Sequence, residues 1–133
     1  MTTLIRPLFY VGVHKPNLAH HFERCMVSIN SIEMRRSDFQ AFAWMLDSGA
    51  FTRITTGRGH MPIRAYADHI RRWSVCGNLQ AAVTQDYMCE PFVLKLTGLT
   101  VHDHQTMTLA NYLRLRDALG DDGYVLPVVE GFE

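Results

Sequence analysis

The sequence predicts an α/β fold built on parallel strands joined by crossover helices. Three observations carry this. Several strand-like segments are continuous apolar runs rather than clean alternations, which suits strands covered on both faces. Two segments of helical periodicity lie between them. From Ala43 onward the order is strand, helix, strand, helix, strand, a pattern that implies a parallel sheet with right-handed connections.

Taken in order, LFYVGV (8–13) is apolar and β-rich, and ends in the turn-forming HKPN. CMVSINSIEM (25–34) is ambiguous between states and is assigned a short strand. AWMLDSGAF (43–51) is a buried strand that breaks at Gly49. A helix then starts at Pro62, a residue favoured at a first helical position. Ile63, Tyr66, Ala67, Ile70 and Trp73 follow helical spacing, Arg64, Asp68, Arg71 and Arg72 fall on the wet side, and Gly77 is a natural stop. LQAAVTQDY (79–87) is the next strand. The second helix opens with TVHD, where Thr100 and Asp103 have capping-box spacing. Its apolar stripe is Leu109, Tyr112, Leu113 and Leu119, and Gly120 ends it. The turn DDG leads into the last strand, YVLPVVEG (124–131).

At 133 residues the chain is one ordinary domain, and 47% hydrophobic content supplies a core. Thirteen basic and thirteen acidic residues cancel. A free-standing nucleic-acid grip usually carries a basic excess, so whole-chain charge does not signal one, while a local patch stays open. Seven histidines add charge only at lower pH. Cys25, Cys76 and Cys89 are odd in number and show no C-x-x-C spacing, so they read as reduced thiols of a cytoplasmic protein. The first seven residues lack the apolar core of a signal peptide. No run approaches the roughly 20 apolar residues of a membrane span.

Chemistry-bearing side chains gather where the strands end: His14, Asp47, Asp86 and Glu130. In α/β folds the site lies at the carboxyl ends of the strands. Asp47, in LDSGAF, reads either as a turn former bonded to backbone N–H groups or as a working carboxylate. Gly49 beside it permits positive φ or close approach. Asp86, in TQDYMCEP, reads as a turn cap or as a paired acceptor. Guanine and its 7-deaza relatives present a matching donor pair, N1–H and the exocyclic amine. Tyr87, Phe51 and Met88 are candidate walls for a flat ring. Glu130 is either solvated surface or part of the site. His102 and His104 read as exposed polar residues near a helix start, and no metal is assigned. Arg53 and Arg58, beside the glycines of TGRGH, form a weak phosphate motif.

LDSGAF resembles the D-S-G-G-F motif of the tRNA-guanine transglycosylases. QDYMCEP, GLTVHDHQTMTLANYLRL and LPVVEG are more similar to the DNA-acting relatives of those enzymes, the DpdA-type deazapurine DNA modification proteins. The likeness runs from FYVGVHKPN to the end of the sequence. It implies the N-terminal portion (1–133) of a (β/α)8 TIM-type barrel that exchanges guanine for a 7-deazaguanine (preQ0-type) base in DNA or tRNA. A carboxylate attacks the anomeric carbon, a covalent glycosyl-enzyme forms, and the incoming base displaces the enzyme. The target base must leave its stack. By this resemblance Asp47 works as acid/base and Asp86 reads the donor edge of the base, with Ser48, Gly49, Phe51, Tyr87 and Glu130 lining the pocket. Glu130 stands where the relatives place a glutamine that holds the base.

A full barrel takes roughly 250 residues. The resemblance therefore places the nucleophilic aspartate and a zinc site beyond these 133 residues, with no cofactor in this stretch. Open strand edges are expected to pair with a second copy or with a separate C-terminal half. Two rival readings accompany this one. The first is a degenerate or split module that binds a purine base or nucleic acid without catalysis. The second is another barrel enzyme with Asp47, Asp86 and Glu130 around a divalent cation.

Overall fold

A computed structural model describes residues 7–131. Residues 1–6, where the sequence lacks a targeting core, lie outside the described residues, as do 132–133. Five strands form one sheet: β1 (Val11–Val13), β2 (Arg24–Ser28), β3 (Ala43–Asp47), β4 (Asn78–Val83) and β5 (Val125–Leu126). They lie side by side in chain order, and every pair is parallel. The helices are α1 (Ile29–Ile32), α2 (Ala50–Thr55), α3 (Ile63–Trp73), α4 (Pro91–Thr97) and α5 (Val101–Leu119). The expected α/β class with parallel strands is what forms. The sheet is open, because β1 and β5 each have one neighbour.

Register sorts the side chains into two faces. Val13, Val27, Leu46, Ala82 and Val125 belong to the covered face, together with Cys25 and Trp44. On that face pack Tyr66, Ile70 and Trp73 from α3 and Leu115 and Leu119 from α5. Fully burying each large apolar side chain contributes about 1.5–3 kcal/mol, which makes this layer the main support of the fold. Phe39 meets the Trp44 ring edge-on at 5.1 Å. The Trp44 indole N–H donates to the Cys76 carbonyl at 2.6 Å, so its polar atom is satisfied in the core. Met26 and Met45, paired on the opposite face, remain half-exposed.

Several boundaries differ from the sequence reading, each for a local reason. CMVSINSIEM is a strand only as far as Ser28, whose hydroxyl accepts the Asn30 N–H at 3.1 Å and starts α1. The last strand is two residues long, because Pro127 has no N–H to continue the ladder. The β4 run ends at Val83; the Thr84 N–H still donates to the Leu126 carbonyl at 3.0 Å, and residues 85–88 turn to side-chain partners. Pro62 is the cap of α3, one residue before its first helical position. Gly77, at φ 53°, makes the turn into β4, where a Cβ would strike the Ala41 and Phe42 carbonyls. The short helices α2 and α4 escaped the pattern, since six or seven residues show too little periodicity.

The apolar stripe assigned to α5 needs correction. Leu109 and Leu113 are exposed, whereas His104, Thr108, Leu115 and Leu119 face inward. The capping box is as expected: the Asp103 N–H donates to Thr100 Oγ1 at 3.1 Å and the Thr100 N–H donates to Asp103 Oδ2 at 3.0 Å. Replacing Thr100 by Ala is expected to lower stability by about 1 kcal/mol, with Thr100→Ser retaining most of it. Urea unfolding of the two variants checks this.

Candidate functional site

Asp47 is the last residue of β3, and the chain turns at once into α2. The turn needs Gly49, which adopts φ 69° and acts as the cap of α2. Asp47 Oδ2 accepts the Gly49 N–H at 3.1 Å. The turn-forming role is thus real, and it coexists with a raised carboxyl pKa. Burial pushes the Asp47 pKa up, and nearby Asp86 pushes it further. The Gly49 and Ser48 N–H groups pull against both.

The turn is held from outside by α1. Asn30 Nδ2 donates to the Gly49 carbonyl at 3.2 Å, and a Cβ on Gly49 would collide with that amide. Arg53, only 3% exposed, donates to Asn30 Oδ1 at 2.9 Å, to Glu33 Oε2 at 2.6 Å and to the Gly59 carbonyl at 3.3 Å. Arg58 reaches the same Glu33 carboxylate at 2.9 Å. This corrects the phosphate reading. Glu33 engages both guanidinium groups, and Arg53 is buried in bracing the turn.

Asp86 sits three residues beyond β4, in a segment with no ladder partner of its own. Four consecutive backbone groups are instead tied by side chains. The Gln85 carbonyl accepts from Asn111 Nδ2 at 2.8 Å, and the Asp86 carbonyl meets His60 Nε2 at 2.6 Å. The Tyr87 N–H donates to Thr108 Oγ1 at 2.9 Å, and the Met88 carbonyl meets His104 Nδ1 at 2.6 Å. His104, Thr108 and Asn111 lie at i, i+4 and i+7 on α5, one face of the helix. His104 is fully buried, with its other nitrogen 2.8 Å from Thr97 Oγ1. The expectation of an exposed His104 is overturned, because two buried polar groups need its ring. Burial also pushes the His60 pKa down, which favours a neutral ring donating through Nε2.

These supports bring two predicted carboxylates into one site. Ser48, 2% exposed, extends its hydroxyl to Asp86 Oδ1 through a long 3.4 Å hydrogen bond. The charge of Asp86 acts on Asp47, and both act on buried Tyr66. Glu130 joins them from the segment after β5. Burial, a hydrogen bond from its side chain to Asp86, and the charges of Asp86 and Glu90 push its pKa up to about 8. Tyr87 stands between His60 and His104, ring centroids 5.0 and 5.5 Å away. Met88 packs inward with Ala50, Ile54 and Val93. Phe51 is turned outward, 59% exposed, with its ring edge-on to Phe92 at 6.2 Å. His14 is exposed beyond β1.

Residues 5–133 match the family DpdA, described as DeoxyPurine in DNA protein A. The chain belongs to this family. No curated protein and no solved structure matches it. DpdA membership ties the chain to deazapurine modification of DNA. Among the described residues no helix is long and apolar enough to cross a membrane. The three cysteines are free and buried. Among the described residues no three His, Cys, Asp or Glu side chains gather to hold a metal ion.

Asn30 and Gly49 generate a direct test. Gly49→Ala is expected to destabilise by about 1–3 kcal/mol through backbone strain alone, with a further cost from the Asn30 clash. Adding Asn30→Ala to Gly49→Ala removes the clash and leaves the strain. A double-mutant cycle in denaturant therefore reads a coupling between positions 19 residues apart in the chain.

Proposed function

We propose that the chain carries the base-recognising part of a base-exchange enzyme that replaces guanine in DNA with a 7-deazaguanine. The observation that carries this reading is the convergence of Asp47 and Asp86 at the carboxyl rim of β3 and β4, linked through Ser48. DpdA membership favours DNA over tRNA. The in-order parallel strands suit an arc of a (β/α)8 barrel, whose working residues lie on that same rim.

In this reading Asp86 accepts the N1–H and the exocyclic amine of the base. An ionised carboxylate has acceptor sites for both, and charge assistance strengthens them. Asp47 moves the proton. Its raised pKa lets it hold a proton for the departing guanine and take one back from the incoming base. The Gly49 turn keeps its carboxyl aimed at the rim. Tyr87 supplies a flat wall. The carboxylate that attacks the sugar is contributed from outside these 133 residues, as the resemblance to the transglycosylases implies.

Calorimetric titration with 7-cyano-7-deazaguanine, guanine and adenine tests the pocket. The two guanine-type bases are expected to bind and adenine is not. Asp86→Asn keeps one acceptor and turns the other into a donor, so it should weaken binding at least about tenfold, or about 1.4 kcal/mol. Circular dichroism confirms that the variant is folded. Equal affinity for adenine and guanine, or an Asp86→Asn variant that binds like the parent, would sink the assignment.

A further inference from the structure

We propose that His60 and Gln85 are positioning residues: through them the loop at residues 56–62 sets where the Asp86 carboxylate stands relative to Asp47. The inference rests on the base-exchange reading of the site and adds the part that fixes its spacing. Asp47 closes β3 and Asp86 follows β4, and a base must meet both at once. Their direct link runs through Ser48, whose hydroxyl reaches Asp86 Oδ1 at a long 3.4 Å. A hydrogen bond of that length holds direction weakly. A firmer connection between the two segments runs through the loop.

Adjacent residues of the loop and of the Asp86 segment are bonded twice, in opposite directions. His60 Nε2 lies 2.6 Å from the Asp86 carbonyl. A carbonyl has no hydrogen to give, so that ring nitrogen is the donor. One residue on in the loop and one residue back in the other segment, Gln85 Nε2 donates to the Met61 carbonyl at 2.7 Å. Gln85 is 2% exposed, so this rung is shielded from water. The two rungs join positions 26 and 24 residues apart. A single bond would act as a pivot, whereas two at neighbouring positions fix orientation as well as distance. The His60 ring also stands edge-on to Tyr87, with centroids 5.0 Å apart.

The loop is fixed equally to α2, the helix that starts at the Asp47 turn. Gly59 is bonded to Arg53 through both its backbone groups. Its N–H donates to the Arg53 carbonyl at 2.9 Å, and Arg53 Nη1 donates to its carbonyl at 3.3 Å. Gly59 adopts φ 74° with open space where a Cβ would stand, so glycine serves the backbone angle here rather than a close approach. The Arg53 N–H in turn donates to the Gly49 carbonyl at 3.1 Å, and the Gly49 N–H donates to Asp47. A continuous route therefore runs from Asp47 through Gly49, Arg53, Gly59 and His60 to Asp86, each step a hydrogen bond or a peptide bond. Recognition sites tolerate about 0.5 Å of misplacement. Loss of either rung leaves the sheet and helices in place and lets the Asp86 carboxylate shift, which registers in affinity.

The affinity of the full chain for 7-cyano-7-deazaguanine is measured by calorimetry in the parent, His60→Leu, His60→Gln and Gln85→Met, with Thr100→Ala as a control for stability. His60→Leu and Gln85→Met are expected to bind roughly tenfold more weakly. His60→Gln offers an amide N–H in place of the ring N–H, so it should stay within about threefold of the parent. Thr100→Ala should lose stability and keep the parent affinity. Amide exchange without ligand is a second readout. The Tyr87 N–H, donated to Thr108 in the segment that the rungs hold, should exchange roughly tenfold faster in His60→Leu and Gln85→Met. Parent-like affinity in His60→Leu and Gln85→Met would overturn this inference and leave the base-exchange reading intact. So would an equal loss in Thr100→Ala, the mark of a merely structural role. Absence of guanine-type binding in the parent would overturn the two together.

Discussion

The site depends on the tethering of residues 85–88, a stretch that leaves the sheet and has no ladder of its own. A free backbone there would carry Asp86 on a mobile loop. Three side chains from one face of α5 and one from the loop before α3 instead hold one backbone group on each of four successive residues. Each bond contributes on the order of 1 kcal/mol, and the desolvation cost of losing a buried partner exceeds that. The arrangement therefore works less as a sum of bonds than as a constraint on direction. The backbone is fixed, and the Asp86 carboxylate is left free for other partners. The hydrophobic layer of Trp44, Tyr66, Trp73 and Leu115 keeps α3 and α5 on the sheet, and so keeps these tethers in register.

Charge is distributed unevenly over this scaffold. Four arginines are paired with other carboxylates: Arg53 and Arg58 with Glu33, Arg71 with Asp122, Arg72 with Asp38. Asp47, Asp86 and Glu130 sit together with no such counter-ion among the described residues. Burial and mutual repulsion raise the cost of ionising Asp47 and Glu130. Such a rim suits a neutral heterocycle with several N–H donors better than it suits a phosphate.

Much of the strand-end geometry was legible because apolar runs that stop at a polar residue mark strand ends in any parallel sheet. Asp47 and Asp86 were found that way, and Thr100 with Asp103 declared the start of α5. The support around them was not legible. His104, Thr108 and Asn111 look like solvated polar residues until their partners are known, and those partners are backbone atoms about 20 residues away with no sequence signature. Their common face, continued by Leu115 and Leu119, is the one signal that was available. Arg53 misled for the same reason: an arginine beside glycines suggests an anion, and the anion was a glutamate of the protein itself. Strand lengths were overestimated where Pro127 or side-chain partners ended the ladder.

The brace between α1 and the Gly49 turn ties together segments that are separate in the chain. Asn30 and Glu33 hold Gly49, Arg53 and, through Arg58, the loop before α3. The turn that shapes the Asp47 carboxyl is consequently not a local structure. It belongs to the same cooperative unit as the helical turn after β2, and opening of either releases the other. Slow amide exchange at Gly49, whose N–H is spent on Asp47, thus reports on the docking of residues 29–33 as much as on its own hydrogen bond.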